Sequence, residues 1–336
     1  MKESQQKIRL YFPIYIVVII IYVIAGIIEP RFFTWNNNVN LFTRITPLIL
    51  AGMAQTFVIL TGGIDLSIGS IIGLTNVIAA SLPYINTPLN IILWFLIPPI
   101  VGFGVGVING YFISKKELPP LIVTLATSAI WLGVTLYIMP IPGGTVSLSV
   151  ALTITGRLFN VIPVPLLIII SSVLIGHSVL GKTEFGRSLY AIGGNELIAY
   201  ESGIPCEKYK ILVYGVSGLL GSFAGMFLSG WMFSADPIIG EPYVLNSIAV
   251  AVIAGTALSG GKGGVVGIIG GAYIFYLLNN ILNLLGITAF YQYIAKGLVL
   301  IIALVISSPD ASKILQNFKN KVLYSKNKEL GEIGRD

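Results

Sequence analysis

Two short stretches of this chain hold residue types that could do chemistry. The first is TGGIDLSIGS (61–70), where Asp65 is flanked by glycines and is the only charged side chain between Arg44 and Lys115. A carboxylate in such apolar surroundings is a functional candidate by default, because charge inside a membrane bundle is expensive. Asp65 and Ser67 are also good helix caps, and an apolar run follows them. The spacing predicts a structural cap at a turn near water. The second stretch, GHSVLGKT (176–183), fits the phosphate-binding pattern G-x-x-x-x-G-K-[ST]. That loop works only between a strand and a helix of an α/β domain. Here the preceding run, 161–180, has the length of a membrane span and overlaps the pattern, so this chain is not expected to bind ATP. His177 is the only histidine, which leaves no cluster with metal-ligand spacing, and it reads as structural. Cys206 is the single cysteine, so no internal disulfide is possible, and it reads as a free thiol on a cytoplasmic loop. No metal or other cofactor is expected.

The elements that must position these residues are apolar helices. The chain has 336 residues, 55% hydrophobic and 10% charged, with a mean hydropathy of +0.89. Soluble domains carry about 25% charge. A bilayer-crossing helix needs roughly 20 mostly apolar residues. Blocks near 10–28, 45–62, 66–84, 89–113, 119–140, 161–180, 211–233, 243–259, 264–285 and 290–308 fit that need. The expected fold is therefore all-α: a polytopic integral membrane protein of about ten transmembrane helices, multi-pass in the cell (plasma or inner) membrane. One transmembrane domain covers 1–310, and 311–336 is a basic cytoplasmic tail. The first block exceeds a signal-peptide core of roughly 7–15 residues and lacks a convincing cleavage site, so it is expected to be retained.

Charge sets the sides. An even number of spans puts both termini together. With them inside, Lys2, Lys7, Arg9, Lys115, Lys116, Lys182, Arg187, Lys208, Lys210, Lys262 and every basic residue after 309 are cytoplasmic. Only Arg31, Arg44 and Arg157 lie outside, and Lys296 falls in the last span, where its stem can snorkel outward. This asymmetry is the positive-inside pattern. The net charge of +6 is thus a topology signal and needs no nucleic-acid partner.

Glycines recur at helix-packing spacing: Gly102, Gly106 and Gly110, then Gly69/Gly73, Gly221/Gly225 and Gly267/Gly271. Such faces let helix backbones approach closely within a bilayer. LTGGIDLSIGSIIG (60–73) is also echoed by LSGGKGGVVGIIGG (258–271). Internal repeats are common in transporters, although glycine-rich segments also align by chance. Both segments read as tight inner turns between two small-residue helices.

The longest inner connection, 182–210, contains a short capped helix. Asn195 is the N-cap, Glu196 sits in the first turn, Gly203 is the stop and Pro205 lies beyond. Leu197, Ile198, Tyr200 and Glu201 give it a mixed surface, suited to docking or to lying on lipid.

Taken together, LTGGIDLSIGS (60–70), NGYFISKKELPPLIVTLAT (109–127), GRSLYAIGGNELIAYESGI (186–204) and AVAVIAGTALSGGKGGVVGIIGGAYIFYLLNNILNLLG (249–286) resemble the permease subunits of bacterial ribose-type ABC sugar importers. The likeness covers about residues 10–308. It implies a subunit that moves a monosaccharide inward by alternating access and has no ATPase site of its own. It also implies three kinds of partner: a cytoplasmic ATP-binding subunit, an extracytoplasmic sugar-binding protein and a second permease subunit, identical or sister. By the same likeness, 194–204 is the coupling helix, with Gly194, Asn195, Glu196, Ala199, Ser202, Gly203 and Ile204 meeting the ATPase. Members of the wider family that carry autoinducer-2 or nucleosides remain alternatives. An ion-coupled secondary transporter is the rival from another class, but it usually needs paired intramembrane charges.

A sugar path needs hydroxyl-bonding groups. The candidates are Gln55, Asn76, Asn109, Thr124, Thr127, Asn279, Asn280 and Asn283, each weighed against simple helix bridging at about 0.6 kcal/mol. Arg31, Arg44, Arg157, Asp236 and Glu241 lie on the outer loops, where a binding protein would dock.

Overall fold

The computed structural model describes residues 2–28, 30–82, 88–288 and parts of 290–298. The expected tail at 311–336, most of the expected span at 290–308 and Lys296 lie outside the described residues. So do the side chains of Arg31, Asn279 and Asn283.

The described chain is helical almost throughout: α1 (Lys2–Ile28), α2 (Trp35–Ile59), α3 (Ile68–Ser81), α4 (Pro88–Lys115), α5 (Pro120–Ile138), α6 (Leu148–Thr155), α7 (Val164–Lys182), α8 (Glu184–Gly194), α9 (Glu196–Glu201), α10 (Cys206–Met232), α11 (Glu241–Ile253) and α12 (Val266–Leu284). A two-residue hairpin, β1 (Arg157–Leu158) with β2 (Ile162–Pro163), interrupts the helices.

Among the described residues, α2, α4, α5, α7 and α10 are long and apolar enough to cross a membrane. Two expected spans are shorter than their apolar blocks. α3 has 14 residues and α11 has 13, about 21 and 20 Å at 1.5 Å per residue, against a hydrocarbon core of about 30 Å. The missing length is irregular backbone at 60–67 and 254–265. Hydropathy reads those residues as helix because they are apolar or glycine, while their glycines take backbone angles that a helix cannot: φ is +79° at Gly62 and +83° at Gly260.

The core forms around α2 and α10. α2 is buried on all sides from Ile45 to Ile59, and α10 packs against α2, α3 and α4. The glycine stripe of α4 makes that packing possible. A Cβ on Gly102 would stand 2.5 Å from the Gly218 carbonyl oxygen, and one on Gly110 would stand 2.6 Å from Ile211 Cα. α4 and α10 therefore touch backbone to backbone, as the spacing predicts.

Candidate functional site

The segment after α7 builds the first candidate site. Thr183 caps α8, its side chain accepting from the Gly186 N–H at 3.1 Å. GHSVLGKT thus runs through the last turns of α7 into this cap, with no strand before it. α8 is a helix that pattern reading missed, because Gly186, Gly193 and Gly194 weaken its propensity. Burial of Leu189 and Ile192 holds it in place.

α9 follows directly. Asn195 Oδ1 accepts from the Ile198 N–H at 3.1 Å. Gly203, at φ +84°, ends the helix, and the Ile204 N–H closes back on the Ala199 carbonyl at 3.1 Å. Ala199 faces inward onto Ile192 and Cys206. Cys206 is buried, so the expected exposed thiol is instead part of this small core. On the outer face Leu197, Ile198 and Tyr200 are 66%, 60% and 70% exposed. Lys210 donates to Glu196 at 2.5 Å, and Lys115 pairs with Glu207 at 2.7 Å. Between α9 and the Glu117–Pro120 turn lies a groove of about 700 Å³, lined also by Glu196, Leu197, Tyr200 and Lys210.

The base of α9 rests on a knot of glycines. Gly193 packs directly on the Leu60 carbonyl, leaving no space for a Cβ. The Gly261 N–H donates to that same carbonyl at 3.0 Å. A Cβ on Gly260 would stand 2.9 Å from the Gly62 nitrogen, and Tyr190 donates to the Gly263 carbonyl at 2.9 Å. The two echoed segments are therefore both turns between helices, and they meet each other beneath α8 and α9.

Five residues beyond Leu60 is Asp65, with no exposed surface. The expectation of nearby water is corrected here, because α10 and the glycine knot cover the turn. Asp65 Oδ1 accepts from the Ser67 N–H at 2.9 Å and the Ser67 hydroxyl at 2.5 Å. Oδ2 accepts from the Ser217 hydroxyl at 2.7 Å. Ser67 is the N-cap residue of α3, but its own side chain makes no cap bond; Asp65 supplies it from two residues upstream.

Several sugar-path candidates converge on this turn. Asn109 Nδ2 donates to Ser67 Oγ at 2.8 Å. The Gln55 carboxamide, oriented to satisfy both ends, donates to the Asp65 carbonyl at 3.1 Å and accepts from its N–H at 3.2 Å. Thr124 donates to the Pro120 carbonyl at 2.9 Å, with Ile64 O at 3.4 Å, and Thr127 to that of Val123 at 3.0 Å. Asn76 lies elsewhere on α3, donating to the Gly225 carbonyl at 3.1 Å and accepting from the Asp236 N–H at 3.0 Å. All five are buried. None lines the α9 groove. Asn280 is half-buried on α12.

At the opposite end of the bundle, Arg44 is not in a loop as expected. α2 begins at Trp35, and Arg44 lies on it over the Trp231 ring, 5.6 Å from the centroid. Arg157 donates to Asn36 Oδ1 at 3.0 Å. Asp236 Oδ1 accepts from the Ile238 N–H at 3.0 Å, and Glu241 is exposed in the first turn of α11. His177 is exposed on α7. Sequence reasoning missed Ser217, Gly193 and Lys210, because each matters only through a neighbour distant in the chain.

Known proteins resemble the whole chain. The ribose import permease protein RbsC of Bacillus subtilis (strain 168) is 40% identical over 306 residues, 90% of this chain and 92% of that protein. RbsC of Haemophilus influenzae is 39% identical over 86% of this chain and 90% of its own. The D-allose transport system permease protein AlsC of Escherichia coli (strain K12) is 31% identical over 86% and 89%. No solved structure matches the chain. A family model described as branched-chain amino acid transport system / permease component matches residues 37–304, and the chain belongs to that family of membrane permease components.

Proposed function

We propose that this chain is the membrane-spanning subunit of an ABC importer that carries ribose or a related monosaccharide inward, driven by a separate ATPase. The observation that carries the reading is α9. It is a helix too short to be stable alone, capped at both ends, seated on backbone and presenting Leu197, Ile198 and Tyr200 outward. Exposed apolar side chains clustered in this way mark an interaction surface. α9, with Gly194, Asn195, Glu196, Ala199, Ser202, Gly203 and Ile204, is the coupling helix, and the groove beside it receives the ATPase. The relatives named for ribose and D-allose import support the substrate class.

The remaining assignments follow from that reading. The chain makes about ten spans with both termini cytoplasmic, and it pairs with a second permease subunit. A sugar-binding protein docks at the opposite end, near Arg31, Arg44, Arg157, Asp236 and Glu241. Gln55, Asn76, Asn109, Thr124 and Thr127 hold the bundle together in this conformation, so Asn279, Asn280 and Asn283 of α12 become the preferred path-lining candidates.

The test is reconstitution. Liposomes with the chain, its ATPase and its binding protein should accumulate the sugar when ATP is present. Leu197→Asp with Tyr200→Ser should abolish ATPase copurification while the permease still elutes as a folded species. Accumulation against a gradient by the purified chain alone would end the proposal.

A further inference from the structure

A second cavity has no role in coupling. It lies between α2, α7 and α10, remote from the Asp65 turn, and has a volume of about 610 Å³. Its walls are apolar, with Met53, Phe57, Ile168 and Phe227 among them. Along its rim Ile175 is 64% exposed and Phe223 40%, so it opens sideways on the apolar flank of the bundle.

One end differs from the rest. Trp94 of α4 closes the cavity where α7 begins; it is 4% exposed, and its indole N–H is buried without an acceptor. A buried donor left unpaired is costly, so an occupant that brings an acceptor to that end is favoured. The hydroxyls that line the walls make no such demand. Ser171 and Ser172 already donate to the Ile168 and Ile169 carbonyls at 3.2 and 3.0 Å.

Length narrows the occupant further. Val164 and Val179 line the cavity from near the two ends of α7, about 22 Å apart at 1.5 Å per residue. That exceeds half of a hydrocarbon core about 30 Å thick. The site therefore takes a long apolar chain with one acceptor at its Trp94 end. No lysine or arginine lines it, so a neutral ester oxygen fits there better than a carboxylate, which would be buried without a counter-charge.

We propose that this cavity binds one glycerophospholipid, an ester carbonyl accepting from Trp94 Nε1 and one acyl chain lying along α7 toward Phe185. A bound chain would join α7 to α2 and α10 as a removable part of the core.

The experiment uses the full chain purified in detergent. After extensive washing, mass spectrometry should find one phospholipid per protein. Trp94→Phe should lower retention at least threefold, and Ser172→Phe, which fills the groove, should abolish it. A phosphatidylglycerol with a diazirine on its acyl chain should cross-link the unaltered protein within 164–179 or 216–227, so the test does not depend on either variant folding. Absence of retained phospholipid, retention indifferent to both substitutions in folded protein, a free fatty acid or detergent as the bound species, or cross-links confined to other helices would each overturn the proposal.

Discussion

Asp65→Ala should be among the most damaging substitutions in the chain, and Asp65→Asn among the mildest for a buried carboxylate. The carboxylate receives three hydrogen bonds, from the Ser67 N–H and from the hydroxyls of Ser67 and Ser217. Alanine strands a buried backbone donor and unpairs two buried hydroxyls. At about 1–3 kcal/mol for each group left unsatisfied, and with some relief as the hydroxyls rotate, the loss is about 3–6 kcal/mol. That is a large share of a typical folding stability of about 5–15 kcal/mol. Asparagine keeps an oxygen for the two Ser67 donors, and its NH₂ can donate to a reoriented Ser217 hydroxyl. The cost should be within about 1 kcal/mol, since Asn caps as well as Asp. The assay pairs unfolding in detergent with sugar uptake in reconstituted liposomes. Asp65→Ala should unfold far earlier than the parent, and Asp65→Asn should retain most transport. A folded Asp65→Asn variant that transports nothing would refute the reasoning, because the carboxylate itself would then be the working group.

Gly193 and Gly194 should separate sharply. A Cβ on Gly193 meets the Leu60 carbonyl and the Gly261 nitrogen, while one on Gly194 meets nothing within 4 Å. Gly193→Ala should cut ATP-driven uptake at least tenfold, and Gly194→Ala should leave uptake near the parent level with stability changed by no more than about 1 kcal/mol. Asn195→Ala removes the α9 cap and should weaken the helix by about 1 kcal/mol, read as reduced ATPase copurification that Asn195→Asp restores. Lys210→Gln breaks the Glu196 pair, whose acidic partner is half-exposed. An exposed pair contributes at most about 1 kcal/mol, so its unfolding midpoint should barely move.

What the sequence disclosed depended on range. The α9 cap was legible because Asn195, Glu196 and Gly203 act within a few residues of one another. The α4 stripe was legible because Gly102, Gly106 and Gly110 repeat at helical spacing, although the partner helix was not. The shortness of α3 was hidden, since hydropathy scores the irregular residues 63–67 much as it scores helix. Gln55 misled for a related reason. A buried amide in a span looks like a sugar ligand, while here it pairs with the N–H and C=O of Asp65 as a neighbouring strand would. Irregular backbone at membrane depth persists only where protein satisfies it, and that requirement turned several polar residues into internal partners.

The glycine knot explains how so short a helix as α9 can act on the whole bundle. Side chains in contact can yield by changing rotamer, but backbone resting on backbone cannot. Gly193 bears on the Leu60 carbonyl, which also holds the Gly261 N–H. From Leu60 the chain reaches Asp65, whose carboxylate grips both the start of α3 and Ser217 of α10. At the far end of α3, Asn76 bonds the Gly225 carbonyl and the Asp236 N–H. A displacement of α9 must therefore break a buried backbone bond or carry the turns with it, and α3 is the rigid element joining those turns to the opposite loops. Small sliding of packed helices past one another is a known form of such motion. It suits this bundle because the faces that would slide are the glycine faces, where little side-chain interlock opposes movement.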